Sequence, residues 1–258
     1  MTSTRISARN LWRETFATAG SLYAPLLIIY SPRLIFAALN SFDNLGSATV
    51  AFNIIYRLVA VPFLSGAMIF YTYRSLTRNQ VTVGEAFNQA NRRLLHLILV
   101  YIMYSVRVLA GGSVLVLAGG IALIIPGLYV AYRLVFSMYS VLVLAGGIAL
   151  ITPGLYVAYR LVFSMYVTVI DNSSALDSLR SSWELTKGRW WLGFRAFFLI
   201  FFVVAVPILL IVLLISSTGN LLASKLVGNV LEFFTVPLIN VYLVLFYLRL
   251  RESAATIK

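Results

Sequence analysis

Long apolar runs constrain this chain more than any other feature of its sequence. Between Trp191 and Ile215 the only charged residue is Arg195, and the stretch from Val227 to Leu248 contains only Glu232. A crossing helix requires about 20 apolar residues. Because 61% of the 258 residues are hydrophobic and 11% are charged, the chain has more apolar surface than a soluble domain of this size can bury. We therefore predict an all-α, polytopic transmembrane helix bundle that forms a single membrane domain over residues 1–258.

Two further crossings are predicted near the N-terminus, at Leu22 to Leu39 and at Val50 to Tyr73. The first is interrupted by Ser31-Pro32-Arg33, where proline removes a backbone donor and is expected to kink the helix. The segment from Leu94 to Ile170 is also almost continuously hydrophobic. At about 20 residues for each crossing, the chain has room for about six or seven crossings.

The formal net charge of +12 indicates orientation in a membrane rather than binding to nucleic acid. Basic residues favour the cytoplasmic side of a membrane and attract anionic headgroups, whereas no soluble module of mixed basic and aromatic residues accompanies the charge. We expect cytoplasmic N- and C-termini in a bacterial inner membrane or a thylakoid-type membrane. The expected partners are membrane lipids with anionic headgroups, and other membrane proteins are possible partners.

Short amphipathic helices are predicted at the membrane surface. Thr82 and Glu85 have the spacing of a capping box, and so do Ser174 and Asp177, while Gly188 is suited to a helix C-terminus. The helix that follows Ser174 is predicted to dock on lipid or on a partner. Its candidate docking residues are the apolar Leu176, Leu179, Trp183 and Trp190, which share one face, and the polar Arg180, Glu184 and Lys187 on the wetter side.

A tandem duplication of 27 residues interrupts the middle of the chain. Ser113 to Tyr139 is repeated by Ser140 to Tyr166, with Ile125 replaced by Thr152. Transporter repeats resemble one another only weakly, so this near-identical pair indicates a recent or engineered event. We predict that the extra copy is re-entrant, in-plane or a tight hairpin, which keeps the downstream segments on their original sides. The competing interpretation is one added crossing and an inverted C-terminal half.

The motifs on both sides of the duplication resemble a known family. Tyr-Val-Ala-Tyr-Arg160 is followed by an apolar run and by Arg180-Ser-Ser-Trp-Glu-Leu-Thr-Lys-Gly188, and Val83-Gly-Glu-Ala-Phe87 lies further upstream. These motifs resemble the bacterial membrane-domain family associated with glycerophosphodiester phosphodiesterases and related uncharacterised six-helix membrane proteins. The resemblance covers most of the chain from about Val50 and implies a six-crossing topology, from which the duplicated segment departs.

Ionisable residues within or near apolar segments are the candidate intramembrane sites, because charge is costly in hydrocarbon. They are Glu232, Arg33, Arg107, Arg133 and Arg160. The arginines are interpreted as snorkelling at an interface or as structurally paired, with a transport role as the alternative. Glu232 is expected to line a polar path or to pair with an arginine.

The residue inventory argues against catalysis. The chain has no cysteine, one histidine and eight acidic residues, so neither a thiolate nucleophile nor a histidine-rich metal site is available. We therefore predict a non-enzymatic structural, lipid-interacting or accessory subunit without a metal or cofactor. The alternatives are a small-solute or lipid transporter and a pigment- or haem-binding subunit that uses His96.

Overall fold

A computed structural model describes residues 8–41, 55–77, 81–107, 156–217 and 219–255. Every regular element in these ranges is helical, in agreement with the predicted all-α class. The elements, in chain order, are α1 Ala8–Tyr30, α2 Pro32–Ser41, a π-helical turn Tyr56–Ala60, α3 Val61–Leu76, α4 Val83–Arg92, α5 Leu94–Arg107, α6 Tyr156–Ile170, α7 Ala175–Leu185, α8 Trp190–Ser216 with a π-helical turn Phe201–Ala205 inside it, and α9 Leu221–Ala255.

The predicted break at Pro32 separates α1 from α2. Pro32 is the first residue of α2, a position where its missing N–H is tolerated. Ser31 lies in the turn between the helices, and its carbonyl accepts from the amide of Leu34 at 2.9 Å. Helix α1 begins at Ala8 and includes Pro25, so the residues that precede Leu22 and the first part of the predicted crossing form one continuous helix up to this break.

Helices α1 and α9 are antiparallel neighbours over most of their length. Glu14 forms an ion pair with Arg249 at 3.0 Å, Tyr23 donates to the carbonyl of Phe234, and Tyr30 donates to Glu232. At about 1.5 Å rise per residue, Glu232 and Arg249 lie roughly 26 Å apart along α9. The α1–α9 pair therefore forms the long axis on which the other helices pack.

Large aromatic side chains fill the interior near one end of this pair. Phe163 lies with its ring centroid 5.6 Å from that of Phe246, and Tyr166 lies 6.0 Å from Tyr247. We call the buried residues Phe163, Tyr166, Tyr242, Phe246 and Tyr247 the aromatic core. It joins α6 to the C-terminal half of α9 and leaves that part of the interior filled by rings.

Two of the described helices are long and apolar enough to cross a membrane. They are Trp190–Ser216, whose most apolar window of 18 residues has a mean hydropathy of 3.5, and Ala223–Ala255, whose corresponding window has a mean hydropathy of 1.8. They contain the predicted crossings at Trp191 to Ile215 and Val227 to Leu248. Only 6% of the apolar window of α8 is buried within the protein, against 39% of the window of α9. Helix α8 therefore presents most of its apolar surface outward.

The first copy of the duplicated segment and most of the second, up to residue 155, lie outside the described residues. The prediction that the extra copy preserves the orientation of the downstream helices therefore stays a prediction. The end of the second copy, Tyr156 to Tyr166, forms the first part of α6, and it contributes Phe163 and Tyr166 to the aromatic core.

Candidate functional site

The ion pair between Arg33 and Glu232 is the centre of the candidate site. Arg33 Nε lies 3.3 Å from Glu232 Oε1, and Arg33 Nη2 lies 3.2 Å from Oε2. The Tyr30 hydroxyl donates to Oε1 at 3.1 Å. Both ionisable residues are intramembrane candidates from the sequence, and the fold brings these two together across α2 and α9. The guanidinium and the phenol thus satisfy both oxygens of one carboxylate.

Tyr56 completes the surroundings of the Arg33 guanidinium. The Arg33 Cζ atom lies 5.3 Å from the centroid of the Tyr56 ring, within the range of a cation–π interaction. Tyr56 is buried and begins the first π-helical turn. We call Tyr30, Arg33, Tyr56 and Glu232 the Glu232 cluster. The two tyrosines are not recognisable from the sequence, because neither lies in a motif that marks it as a partner of a charge.

A groove of about 640 Å³ runs between α8 and α9 beside the Glu232 cluster. The second π-helical turn contributes Val204 and Ala205 to its wall. Single π-helical turns inside α-helices are frequent at functional sites. The groove is lined by Val204, Ala205, Ile208, Leu209, Val212, Lys225, Gly228, Asn229, Glu232, Thr235, Val236 and Ile239. All of the α8 residues are apolar, so the polar groups of the groove belong to α9.

The polar residues of the groove follow one face of α9. Lys225, Asn229, Glu232 and Thr235 are separated by three or four residues, the spacing that stacks side chains on one side of a helix. At one end of the groove Ser216 and Ser224 hydrogen-bond at 2.6 Å. The α8–α9 pair is therefore closed near its connecting loop and wider beside Glu232.

The line of polar groups ends within the bundle. Asn240 is buried and donates to the Thr72 hydroxyl of α3 at 3.1 Å. Beyond Asn240, the inward side chains of α9 are Tyr242, Phe246 and Tyr247 of the aromatic core. Along α9, the line of polar side chains of the groove therefore gives way to aromatic side chains after Asn240.

Arg160 forms a separate buried site between α6 and α7. Only 7% of the residue is exposed, and its guanidinium lies 4.4 Å from the Trp183 ring centroid. Arg160 Nη1 donates to the Trp183 carbonyl at 2.8 Å, and Nε donates to the Tyr156 hydroxyl at 3.0 Å. These contacts make Arg160 a structural link from α6 to the C-terminal end of α7. Arg107 is exposed at the end of α5, and Arg133 lies outside the described residues.

Only some of the docking residues predicted on α7 are exposed. Leu179 is buried, with 2% of its surface exposed, whereas Leu176 is 65% and Trp183 37% exposed. Trp190 is partly buried against Tyr156, with ring centroids 5.2 Å apart. Of the predicted docking residues, Leu179 therefore packs inside the bundle and is not available for docking, whereas Leu176 and Trp183 are exposed. The polar candidates Arg180, Glu184 and Lys187 are exposed.

Small hydroxyl residues determine which face of α7 is buried. Ser178 and Ser182 are buried against α6, where Thr168 donates to Ser178 at 2.8 Å and Ser182 donates to the Arg160 carbonyl at 2.8 Å. Hydroxyl and alanine side chains allow two helices to approach closely. The four-residue spacing of Ser178, Ser182 and Thr186, all of which are buried, is the sequence signal that indicates this face.

The helix caps follow the sequence prediction closely. The Thr82 amide donates to Glu85 Oε2 at 3.1 Å, and the Glu85 amide donates to Thr82 Oγ1 at 3.2 Å, which is a complete capping box. At α7 the Ser174 hydroxyl accepts from the Asp177 amide and donates to the Asp177 carboxylate. Gly188 has a φ of +73° just after α7, as its predicted role at a helix end requires.

The chemistry of the Glu232 cluster is that of binding and positioning. It contains one carboxylate, one guanidinium and two phenols, and no group of three or more metal-ligating side chains occurs among the described residues. His96 lies in α5 and is partly exposed. The arrangement can hold a polar group or support the helix break, but it contains no pair of carboxylates for acid–base hydrolysis.

In its described residues the chain is all-helical, with two helices long and apolar enough to cross a membrane and an ion pair beside a lateral groove. Residues 7–250 match the family described as Domain of unknown function (DUF7847). The chain therefore belongs to this family. No curated protein and no solved structure matches the chain. The resemblance to the phosphodiesterase-associated membrane family is not tested by these findings and stays a prediction.

Proposed function

We propose that the chain is a polytopic integral membrane protein and that α8 crosses the bilayer in contact with lipid. The observation that supports this most directly is the 6% burial of the apolar window of α8. A core helix of a soluble protein is mostly buried. Here Phe198, Leu210 and Leu214 are 50%, 60% and 72% exposed, so in water each would lose half or more of the roughly 1.5–3 kcal/mol that full burial of a large apolar side chain contributes. Hydrocarbon is the solvent that removes this cost.

The distribution of charge supports an orientation with both termini in the cytoplasm. Glu14–Arg249 and Asp171–Arg251 ion pairs lie at one end of the bundle, and Arg93 donates to the Asn172 carbonyl there. We call this the basic end. With Arg249 at one boundary of a hydrocarbon layer about 30 Å thick, Glu232 lies roughly 26 Å away along α9, close to the opposite boundary. The Glu232 cluster is then accessible to headgroups or water.

Within the membrane we propose a non-enzymatic, lipid-interacting or accessory role. The groove between α8 and α9 combines an apolar wall with a line of polar side chains, which is the character of an amphipathic lipid. The exposed polar face of α7, with Arg180, Glu184 and Lys187, provides a surface at the basic end for anionic headgroups or a membrane-protein partner.

A transporter is the second candidate, and the Arg33–Glu232 pair favours it, since ionisable residues inside membranes often mark solute pathways. The end of the polar line at Asn240 and the aromatic core beyond it favour the lipid-interacting role instead. A dithionite assay on proteoliposomes that contain a fluorescent lipid distinguishes a lipid transporter from a protein that interacts with lipid without transporting it. We expect the rate of lipid exchange between leaflets to equal that of protein-free vesicles, and a faster rate would establish transport.

Site-directed spin labelling tests the membrane proposal. Because the chain has no cysteine, Leu210→Cys on α8 and Arg180→Cys on α7 each give a single labelled site. In lipid vesicles we expect the label at residue 210 to be relaxed by oxygen and protected from a water-soluble nickel reagent, with the reverse at residue 180. Nickel access at both sites, or a chain that stays soluble and compact without detergent, would overturn the proposal.

A further inference from the structure

A cleft lies between α3 and α4 at the basic end. Ala86 and Ala90 of α4 are 0% and 2% exposed, so α4 lies close against the bundle. The rings of Phe63 and Phe87 are 5.6 Å apart and hold the two helices together. The Thr82–Glu85 capping box sets where α4 begins. The cleft walls are therefore fixed by packing.

The cleft has a volume of about 360 Å³, at the lower end of the range for small-molecule sites. Its lining residues are Phe70, Arg74, Val81, Glu85, Asn88, Gln89 and Arg92. Two guanidiniums and two carboxamides supply hydrogen-bond donors, and Glu85 is the one acidic residue. Two guanidiniums outnumber one carboxylate, so the cleft lining has a net positive charge. Glu85 Oε2 already accepts from the Thr82 amide, which leaves the cleft with more free donors than acceptors.

The two arginines of the cleft differ from their neighbours at the basic end. Arg249 and Arg251 are held by carboxylates, and Arg189 donates to the carbonyl of Leu250 at 2.9 Å. Among the residues that the structure describes, neither Arg74 nor Arg92 forms an ion pair. Arg74 lies with Cζ 5.6 Å from the Phe70 ring centroid, a contact that leaves its N–H groups able to donate.

We propose that this cleft binds the phosphate headgroup of an anionic membrane lipid. Arg74 and Arg92 donate to the phosphate oxygens, which guanidinium groups recognise through two parallel hydrogen bonds, and Asn88 donates to hydroxyl groups of the headgroup. The inference rests on the proposed membrane location, because the basic end then lies at headgroup level, where lipid phosphates are concentrated. The small volume admits a headgroup, while the acyl chains stay in the bilayer.

Native mass spectrometry of the full-length protein, with equimolar phosphatidylglycerol and phosphatidylcholine, tests the assignment. We expect the wild type to retain phosphatidylglycerol preferentially, and we expect Arg74→Gln/Arg92→Gln to reduce this preference about tenfold. The matched control is Arg9→Gln/Arg13→Gln, which removes two exposed arginines of α1 outside the cleft. The control should keep the preference, and circular dichroism establishes that both variants are folded.

The outcomes separate the cleft from the membrane proposal. An equal loss in both double variants, or wild type that retains both lipids without preference, would overturn the cleft assignment and leave the membrane location standing. Displacement of the anionic lipid by millimolar inorganic phosphate would identify free phosphate as the ligand and overturn the lipid assignment. A wild-type protein that retains neither lipid would contradict the membrane location itself.

Discussion

Gly193 of α8 lies directly against the side chain of Tyr159 of α6, so that a Cβ atom at residue 193 would overlap the ring atoms Cε2 and Cζ and the hydroxyl oxygen Oη. The ring has little freedom to move. Its hydroxyl donates to the Arg189 carbonyl at 3.1 Å, and its edge packs on Trp190 with centroids 5.6 Å apart. The glycine is therefore what allows α6 to contact the start of α8.

We predict that Gly193→Ala lowers the thermal unfolding temperature in detergent and destabilises the protein by about 1–3 kcal/mol, the usual cost of overpacking a filled interior. Gly20→Ala is the control, since nothing lies within 4 Å of a Cβ at residue 20 and alanine favours a helix by about 1 kcal/mol over glycine. The unfolding temperature of Gly66→Ala should lie between those of the other two variants, because the Cβ would meet only the end of the flexible Leu97 side chain. A Gly193→Ala variant that unfolds at the same temperature as the wild type would contradict the close packing of Gly193 against Tyr159.

The Arg33–Glu232 pair should show energetic coupling between α2 and α9. In a double-mutant cycle with Arg33→Gln and Glu232→Gln, we expect a coupling free energy of about 0.5–3 kcal/mol in unfolding. The side chains are 20% and 42% exposed, so screening reduces but does not abolish the interaction. The control cycle uses Arg249 and Glu252, whose side chains are 39% and 66% exposed, and should give a few tenths of a kcal/mol. Equal coupling in the two cycles would mean that the Glu232 cluster has no special role.

The two leucines of α7 provide a matched test of which face of this helix is buried. Leu179→Ala removes a side chain that is 2% exposed and should destabilise the protein by about 2–5 kcal/mol. Leu176→Ala removes one that is 65% exposed, and stability should change by less than about 0.5 kcal/mol. Chemical denaturation in mild detergent measures both. If Leu176→Ala were the more destabilising change, Leu179 would not lie on the buried face of α7.

The orientation of the α8–α9 pair is testable by cysteine labelling of intact cells. Ser182 is buried, whereas its neighbour Ser181 is exposed, as is Ser217 in the loop after α8. An impermeant maleimide should label Ser217→Cys in intact cells and Ser181→Cys only after permeabilisation. Labelling of Ser181→Cys from outside would support the inverted C-terminal half that one added crossing in the duplicated segment implies.

Local features of the fold follow from the order of residues along the chain. The break at Pro32, the capping box at Thr82 and Glu85, and the apolar stretches of α8 and α9 each depend on backbone chemistry or hydrophobicity within a few turns. Such properties need no knowledge of the neighbouring helices, which is why reading the residues alone predicts them.

The partners of the charged and buried side chains depend instead on which helices meet. Arg33 and Glu232 are both recognisable as costly charges in an apolar segment, but their pairing requires α2 to contact α9, far away in the chain. Leu176 and Leu179 are equivalent by hydrophobicity, and the close contact of Ser178 and Ser182 with α6 is what buries one and exposes the other. Contacts between residues distant in sequence arise only when the helices pack, because their free energy depends on the shape of both surfaces.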